Sequence, residues 1–232
     1  RGADLLTETK VIDVRPEGSA IGLVTESQGV RTSLSCERLI IAAGPWAAAL
    51  LPWLEPRLTV TRQTVGYFRL EGKPADFEVG RWPVWGNLGA PDGEIFYGLP
   101  AFGREGIKIA RHVTSGTAHD PDLIPEQVDP AEIDRLREFL AREFVPSVER
   151  LVGAEHCLYT NTSTEDYIVD LHPDNDRVAI AAGFSGHGFK LAPVCGRVLA
   201  ELVTDGRTSV TEFEAMCRTF SITGPSAEST DY

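Results

Sequence analysis

The residues best suited to chemistry fall in three stretches. Gly183-Phe184-Ser185-Gly186-His187-Gly188-Phe189-Lys190 follows the wholly apolar Val178-Ala179-Ile180-Ala181-Ala182 and leads into a helical pattern, Leu191–Thr204, with Val194, Val198, Leu199 and Leu202 on one face. α/β folds place ligands where a buried strand ends in glycine at a helix entrance. Gly183, Gly186 and Gly188 let backbone approach a flat or phosphorylated ligand there, and the N–H groups of the helix start favour an anionic or electron-accepting one. The same spacing also suits a plain tight turn, and periodicity does not separate the two. A parallel design, Ile40-Ile41-Ala42-Ala43-Gly44, comes earlier in the chain.

In the second stretch, Tyr97-Gly98-Leu99-Pro100 precedes Gly106-Ile107-Lys108-Ile109-Ala110-Arg111-His112. The two-residue period of a strand puts Lys108, Ala110 and His112 on one face. Alternation between Ile107 and Ile109 is also how an ordinary half-solvated strand places a lysine. The third is Cys157, whose thiolate is a nucleophile in principle and a buried packing group in the bland reading. Cys36, Cys195 and Cys217 have no chemical context and read as packing residues. His119, His156 and His172 lack metal-ligand spacing, so no metal site is expected.

The elements that must position these residues are mostly strands. Lys10–Val14, Ile21–Thr25 and Arg31–Leu34 read as an antiparallel meander, and Arg38–Trp46 as a buried strand, a Gly-Pro turn and a short helix, Ala47–Leu51. Leu58–Leu70, Val79–Trp85, Glu94–Leu99 and Gly106–His112 form one predicted sheet, with punctuation at Gly86–Gly93 and Gly103–Gly106. Asp129 caps a helix with Pro130 in its first turn and Ile133, Leu136, Phe139, Leu140 and Phe144 at helical spacing. This helix is expected to pack on the sheet, and Trp82 and Trp85 to pack in the core in preference to walling a pocket. Cys157–Thr162, Tyr167–Leu171 and Arg177–Gly183 are further strands, and the tail from Gly224 is expected to fray.

With 22 Lys plus Arg against 34 Asp plus Glu among 232 residues, the net charge is −12 and no basic run occurs. A nucleic-acid or anionic-membrane surface is therefore not expected. No apolar stretch reaches the roughly 18 residues of a spanning helix. Four scattered cysteines fit a reducing, cytoplasmic setting better than a disulfide scaffold. The chain opens at Arg1 without a signal-peptide pattern, and its single methionine is Met216, so it reads as part of a longer polypeptide.

Three segments, Cys157-Leu158-Tyr159-Thr160, Asp170-Leu171-His172-Pro173 and Ala181–Lys190, resemble in order and spacing the C-terminal part of the sarcosine oxidase and N-methyltryptophan oxidase family. These are D-amino-acid-oxidase-like flavoproteins. The likeness runs from the opening meander through Tyr97-Gly98-Leu99-Pro100 to the helix after Lys190. It implies an α+β / α/β chain, the C-terminal part of a two-domain FAD-dependent oxidoreductase. Residues 1–52 and 155–232 would then belong to an incomplete FAD-binding domain, and 53–154 to a substrate domain built on a mixed, mostly antiparallel sheet. The family's GxGxxG-opened N-terminal βαβ unit is missing, and Gly183–Gly188 reads G-x-x-G-x-G instead.

The resemblance further implies covalent FAD through Cys157 and a flavin-contacting turn around Gly44, Phe184, Gly186, His187 and Gly188. It implies that Lys190 grips the substrate carboxylate, that Tyr97 and His112 line the substrate pocket, and that Lys108 activates molecular oxygen. The implied substrate is an N-methyl amino acid such as sarcosine or another secondary amine, and the products are formaldehyde, the amino acid and hydrogen peroxide. A bulkier N-methyl or cyclic amino acid would use the same residues. Two other readings remain open: a non-catalytic piece that needs a separate flavin-binding half, and a dehydrogenase passing electrons to a carrier. An incomplete sheet would also expose an edge that favours self-association.

Overall fold

A computed structural model describes residues 2–17, 20–89, 93–113 and 119–223. Three strands open the chain, β1 (Lys10–Glu17), β2 (Ala20–Ser27) and β3 (Val30–Cys36), followed by the short β4 (Leu39–Ile41) and α1 (Ala47–Leu50). The middle holds β5 (Thr59–Leu70), β6 (Trp85–Asn87), β7 (Ile95–Leu99), β8 (Ile107–His112) and α2 (Pro130–Glu143). Then come β9 (Val148–Asn161), β10 (Ile168–His172), β11 (Asn175–Ala182), α3 (Ala192–Asp205) and α4 (Thr211–Met216). They divide into two compact units, Arg1–Thr59 with Thr160–Tyr232, and Val60–Tyr159.

In the first unit β1, β2 and β3 form the expected antiparallel meander. A second sheet has the order β10-β11-β4, with β4 parallel and β10 antiparallel to β11. Central position explains the uninterrupted apolar run of β11. Val178, Ile180 and Ala182 pack on one face with Ile21, Ile41 and Leu54, while Ala179 and Ala181 face Val198, Leu199 and Val203 of α3. A strand covered on both faces has no polar positions to alternate. The α3 stripe differs from the expected one: Val194 is 38% exposed and Val203 is buried instead. Helical α3 begins only at Ala192, after a 3-10 turn at Phe189–Leu191, so Val194 falls in its first turn, and the buried stripe of Val198, Leu199 and Val203 lies further along.

The second unit is a five-stranded sheet of order β6-β7-β8-β5-β9 with α2 on one face. Asp129 caps α2 by accepting from the Ala131 N–H at 2.9 Å, and Pro130 starts it, as its sequence predicts. Ile133, Leu136, Phe139 and Leu140 pack on Phe68, Phe96, Ile107 and Ile109 of the sheet. Phe96 and Phe139 stack at 4.0 Å. Each such buried side chain contributes about 1.5–3 kcal/mol relative to exposure. Trp82 and Trp85 join this core, against Phe144.

Several boundaries differ from expectation. Val79–Trp85 is not a strand: the Arg81 and Trp82 amides both bond back to the Glu78 carbonyl, and Pro83 has no amide to offer a ladder. The strand lies at Trp85–Asn87, starting at the last residue of the predicted strand and running into the stretch read as punctuation. Strand β9 starts at Val148, well before Cys157, because its first half is an edge of charged residues in which Glu149 pairs with Arg69 and Arg150 with Glu105. Polar edges carry little apolar alternation to read. Helix α4 had no sequence signal, and Cys217 beside it is exposed, not packed. The tail from Gly224 lies outside the described residues. Among those described, no helix is long and apolar enough to cross a membrane.

Candidate active site

Cross-strand register gives the sheet of the second unit two different faces. Ile107 and Ile109 point to α2, so Lys108, Ala110 and His112 point the other way, as the two-residue period requires. Tyr97 sits opposite Ala110, and Tyr67 opposite Lys108. Strand β9 adds Cys157 and Tyr159 to this side. The Tyr159 hydroxyl lies 3.4 Å from the Tyr97 hydroxyl and 3.3 Å from His112 Nδ1. Lys108 Nζ stands 5.9 Å from the Tyr97 ring centroid, at the outer limit of a cation–π contact.

Three of the expected residues, Tyr97, Lys108 and His112, are thus brought together, and Tyr159 joins them as a residue to which sequence reasoning gave no role. Its signal was available: two residues after Cys157 on one strand, it must share that residue's face. Tyr159 is 5% exposed. Burial pushes its phenol pKa well up, with smaller upward pulls from Tyr97 and Cys157. Burial also raises Tyr97, against a smaller downward pull from its hydrogen bond with Tyr159. Both hydroxyls therefore keep their protons and can donate to a substrate or to each other. Cys157 itself is exposed, so its thiol is reachable.

The glycine-rich turn belongs to the first unit, with Lys190. Its hub is Ser185, fully buried with φ +48°, whose amide donates to Thr160 O at 2.9 Å and whose hydroxyl donates to Gly183 O at 3.2 Å. Gly183 has φ +66°, and a Cβ there would stand 2.4 Å from Thr162 Cγ2. A Cβ on Gly188 would meet Phe184 at 2.2 Å. These two glycines are thus required by the chain's own close packing, which is a reason other than the ligand approach read from the sequence. Gly186 carries φ +80°. His187 Nδ1 is 2.5 Å from the Tyr167 hydroxyl, and Lys190 Nζ donates to the His187 carbonyl at 2.6 Å. Gly44, at φ +53°, ends the β4 run with nothing within 4 Å of where a side chain would stand.

Residues 1–202 match the FAD dependent oxidoreductase family. The chain belongs to this family. Among the curated members of the FAD dependent oxidoreductases, it is 36% identical to monomeric sarcosine oxidase of Bacillus sp. (strain B-0618), over 90% of this chain and 52% of that protein. It is 37% identical to the peroxisomal sarcosine oxidase of Homo sapiens, over 83% of this chain and 49% of that protein. N-methyl-L-tryptophan oxidase of Yersinia pestis is 28% identical over 88% of the chain. The chain spans about half the length of the curated relatives it matches. Among solved structures, NikD, an unusual amino acid oxidase, superposes with a TM-score of 0.71 at 18% identity, over 97% of this chain and 56% of that one. Amadoriase I of Aspergillus fumigatus gives 0.68 at 19% identity, over 86% of this chain and 46% of that one. These superpositions establish the α+β oxidoreductase fold.

FAD dependent oxidoreductases imply a flavin, and the residues present are compatible with one. Cys157 offers an exposed thiol on the Tyr97 and Tyr159 face, Gly44 presents bare backbone to open space, and the Gly183–Lys190 turn presents a cation and an imidazole at a helix start.

Proposed function

We propose that this chain carries cofactor and substrate residues of an FAD-dependent oxidase of N-methyl amino acids such as sarcosine. The unit of Arg1–Thr59 with Thr160–Tyr232 is assigned to the FAD-binding part, and Val60–Tyr159 to the substrate part. The observation that carries this reading is the Tyr97, Tyr159 and His112 cluster beside Lys108, with an exposed Cys157 on the same strand as Tyr159. FAD, when bound, would accept two electrons from the C–H bond next to the substrate nitrogen and pass them to oxygen, leaving an imine that water converts to formaldehyde and the amino acid, with hydrogen peroxide as co-product.

The chain's own residues supply position and charge. Cys157 is assigned as the covalent anchor of FAD, and Gly44, Phe184, Gly186, His187 and Gly188 as the backbone and ring contacts that hold it. Lys190 uses one of its three N–H donors on the His187 carbonyl, and the other two suit a substrate carboxylate. Tyr97, which keeps its proton, and His112 orient the amine, with Tyr159 fixing both through its single hydroxyl. Lys108 supplies positive charge where negative charge develops on oxygen. Four unpaired thiols fit a reducing compartment such as the cytoplasm. Strand β4, paired on one side only among the described residues and with Ile40 42% exposed, is the edge assigned to self-association.

The experiment is an intact mass of the denatured chain with a visible spectrum of the acid-precipitated protein after expression with flavin. The expected result is 25.3 kDa plus one FAD and a yellow pellet, both lost in Cys157→Ser. A bare chain and a colourless pellet would defeat the covalent reading.

A further inference from the structure

Tyr167, which the sequence gave no role, lies where the turn, β10 and the C-terminal segment converge. Its ring stacks on Phe184 at 5.0 Å and on Phe220 at 5.7 Å, and Phe220 stacks in turn on Phe213 at 5.5 Å. Its hydroxyl makes its one hydrogen bond among the described residues to His187 Nδ1. Burial raises its pKa, helped by Cys195 and Asp166, so the phenol is protonated at neutral pH. A phenol O–H is more acidic than a neutral imidazole N–H, so of the two directions open to this contact the one in which Tyr167 donates and Nδ1 accepts is assigned. An imidazole that accepts at Nδ1 carries its own proton at Nε2. His187 is held elsewhere too: its amide donates to Phe184 O at 3.0 Å and its carbonyl accepts from Lys190.

We propose that Tyr167 is a positioning residue that fixes His187 as the Nε2–H tautomer within the turn assigned above to the flavin. This rests on reading the turn as flavin-facing, as proposed above. The segment behind Tyr167 is part of the device. Phe213 and Phe220 lie beyond residues 1–202, the span that matches the family. That segment is tied down where it passes β10: the Val169 amide donates to Phe220 O at 3.0 Å, and the Ser221 hydroxyl and Ile222 amide donate to Asp170 at 2.8 and 3.0 Å. Stacking on both Phe184 and Phe220 holds the Tyr167 ring with its hydroxyl at the imidazole, which is how an outer partner fixes tautomer and orientation.

The test is the nitrogen NMR spectrum of the 232-residue chain labelled at histidine, without flavin, with His187 assigned by its loss in His187→Gln. The wild type should show an Nδ1 that accepts and a predominant Nε2–H form, and Tyr167→Phe should lower the tautomer ratio about threefold to tenfold while leaving the melting curve within a few degrees. Phe220→Leu, which keeps the hydroxyl and loosens its backing, should lower the ratio by a smaller factor. An Nδ1–H form predominating in the wild type would overturn the assignment. An unchanged ratio in a folded Tyr167→Phe would overturn it as well. Because no flavin is present, a chain that fails to take up FAD defeats the covalent reading and leaves the tautomer result to decide the role of Tyr167.

Discussion

In the Gly183–Lys190 turn, every hydrogen bond on His187 described above comes from within 20 residues: Phe184 and Lys190 each three away, Tyr167 twenty. On the sheet face, Tyr159 meets Tyr97 across 62 residues and His112 across 47. The turn is shaped by backbone that has one way to go, with two glycines hemmed in by Thr162 and Phe184. The cluster on the sheet is shaped by register, since a slip of one residue in β8 would turn Lys108 and His112 to the α2 side and bring Ile107 and Ile109 out. Strained local backbone and long-range register fail differently, and the two regions are separable on that basis.

The largest effect should come from the sheet face. In a flavin-loaded preparation, Lys108→Met is expected to slow the reaction with oxygen by about 10²–10³-fold while substrate oxidation is nearly unchanged, because only the oxygen step develops charge that needs the ammonium. Separate stopped-flow traces for the two half-reactions decide it. Equal slowing of both would mean that Lys108 supports the cluster as a whole, and the oxygen role would be lost.

Backbone strain predicts a smaller effect in the turn. Gly183→Ala places a methyl against Thr162 at a left-handed φ and should cost about 1–3 kcal/mol in urea unfolding. Gly153→Ala on β9, with nothing within 4 Å of the added carbon, should stay within about 0.5 kcal/mol. If the two variants melt alike, the turn is not held by its backbone, and the contrast with the sheet collapses.

Legibility followed the same division. The turn, the Ala-Ala-Gly strand before it and the capped α2 could be read because their causes are local: a Gly run, an apolar run covered on both faces, an Asp-Pro start. Lys108 and His112 could be placed on one face by period alone. Tyr159 and Tyr167 could not be given partners, since these depend on which strands pair and where the C-terminal segment lies. Val79–Trp85 misled for a related reason: two tryptophans and valines read as a strand, whereas here the indoles pack into a core beside a turn at Glu78. For Cys157 and Lys108, residue type and spacing left two readings each, and the family resemblance supplied the assignment.

Tyr159→Phe sharpens the sheet side further. Removing one hydroxyl shared by Tyr97 and His112 should lower stability by about 0.5–1.5 kcal/mol, and in the loaded protein it should weaken substrate binding more than turnover, because the hydroxyl orients groups without touching the reacting bond. A change in kcat alone would instead place Tyr159 at the chemistry.

The smallest effect concerns the loop between α3 and α4, which leads to Phe220. Glu201 accepts from Arg197 Nε at 2.8 Å, Thr208 Oγ1 at 2.8 Å and Ser209 N at 2.7 Å. The Arg197 bond, then those from Ser209 and Thr208, lower its pKa from 4.5 to about 2. A carboxyl whose pKa is lower in the folded than in the unfolded chain stabilises the fold fully above the unfolded value. That contribution fades as pH falls from about 4.5 to about 2. The wild type should therefore melt at a modestly higher temperature than Glu201→Gln at pH 7, and the two curves should converge as pH approaches 2. Curves that stay parallel over that range would show that Glu201 acts through packing or neutral hydrogen bonds alone. A difference that grows on acidification would reverse the sign and remove Glu201 from the support of the segment behind Tyr167.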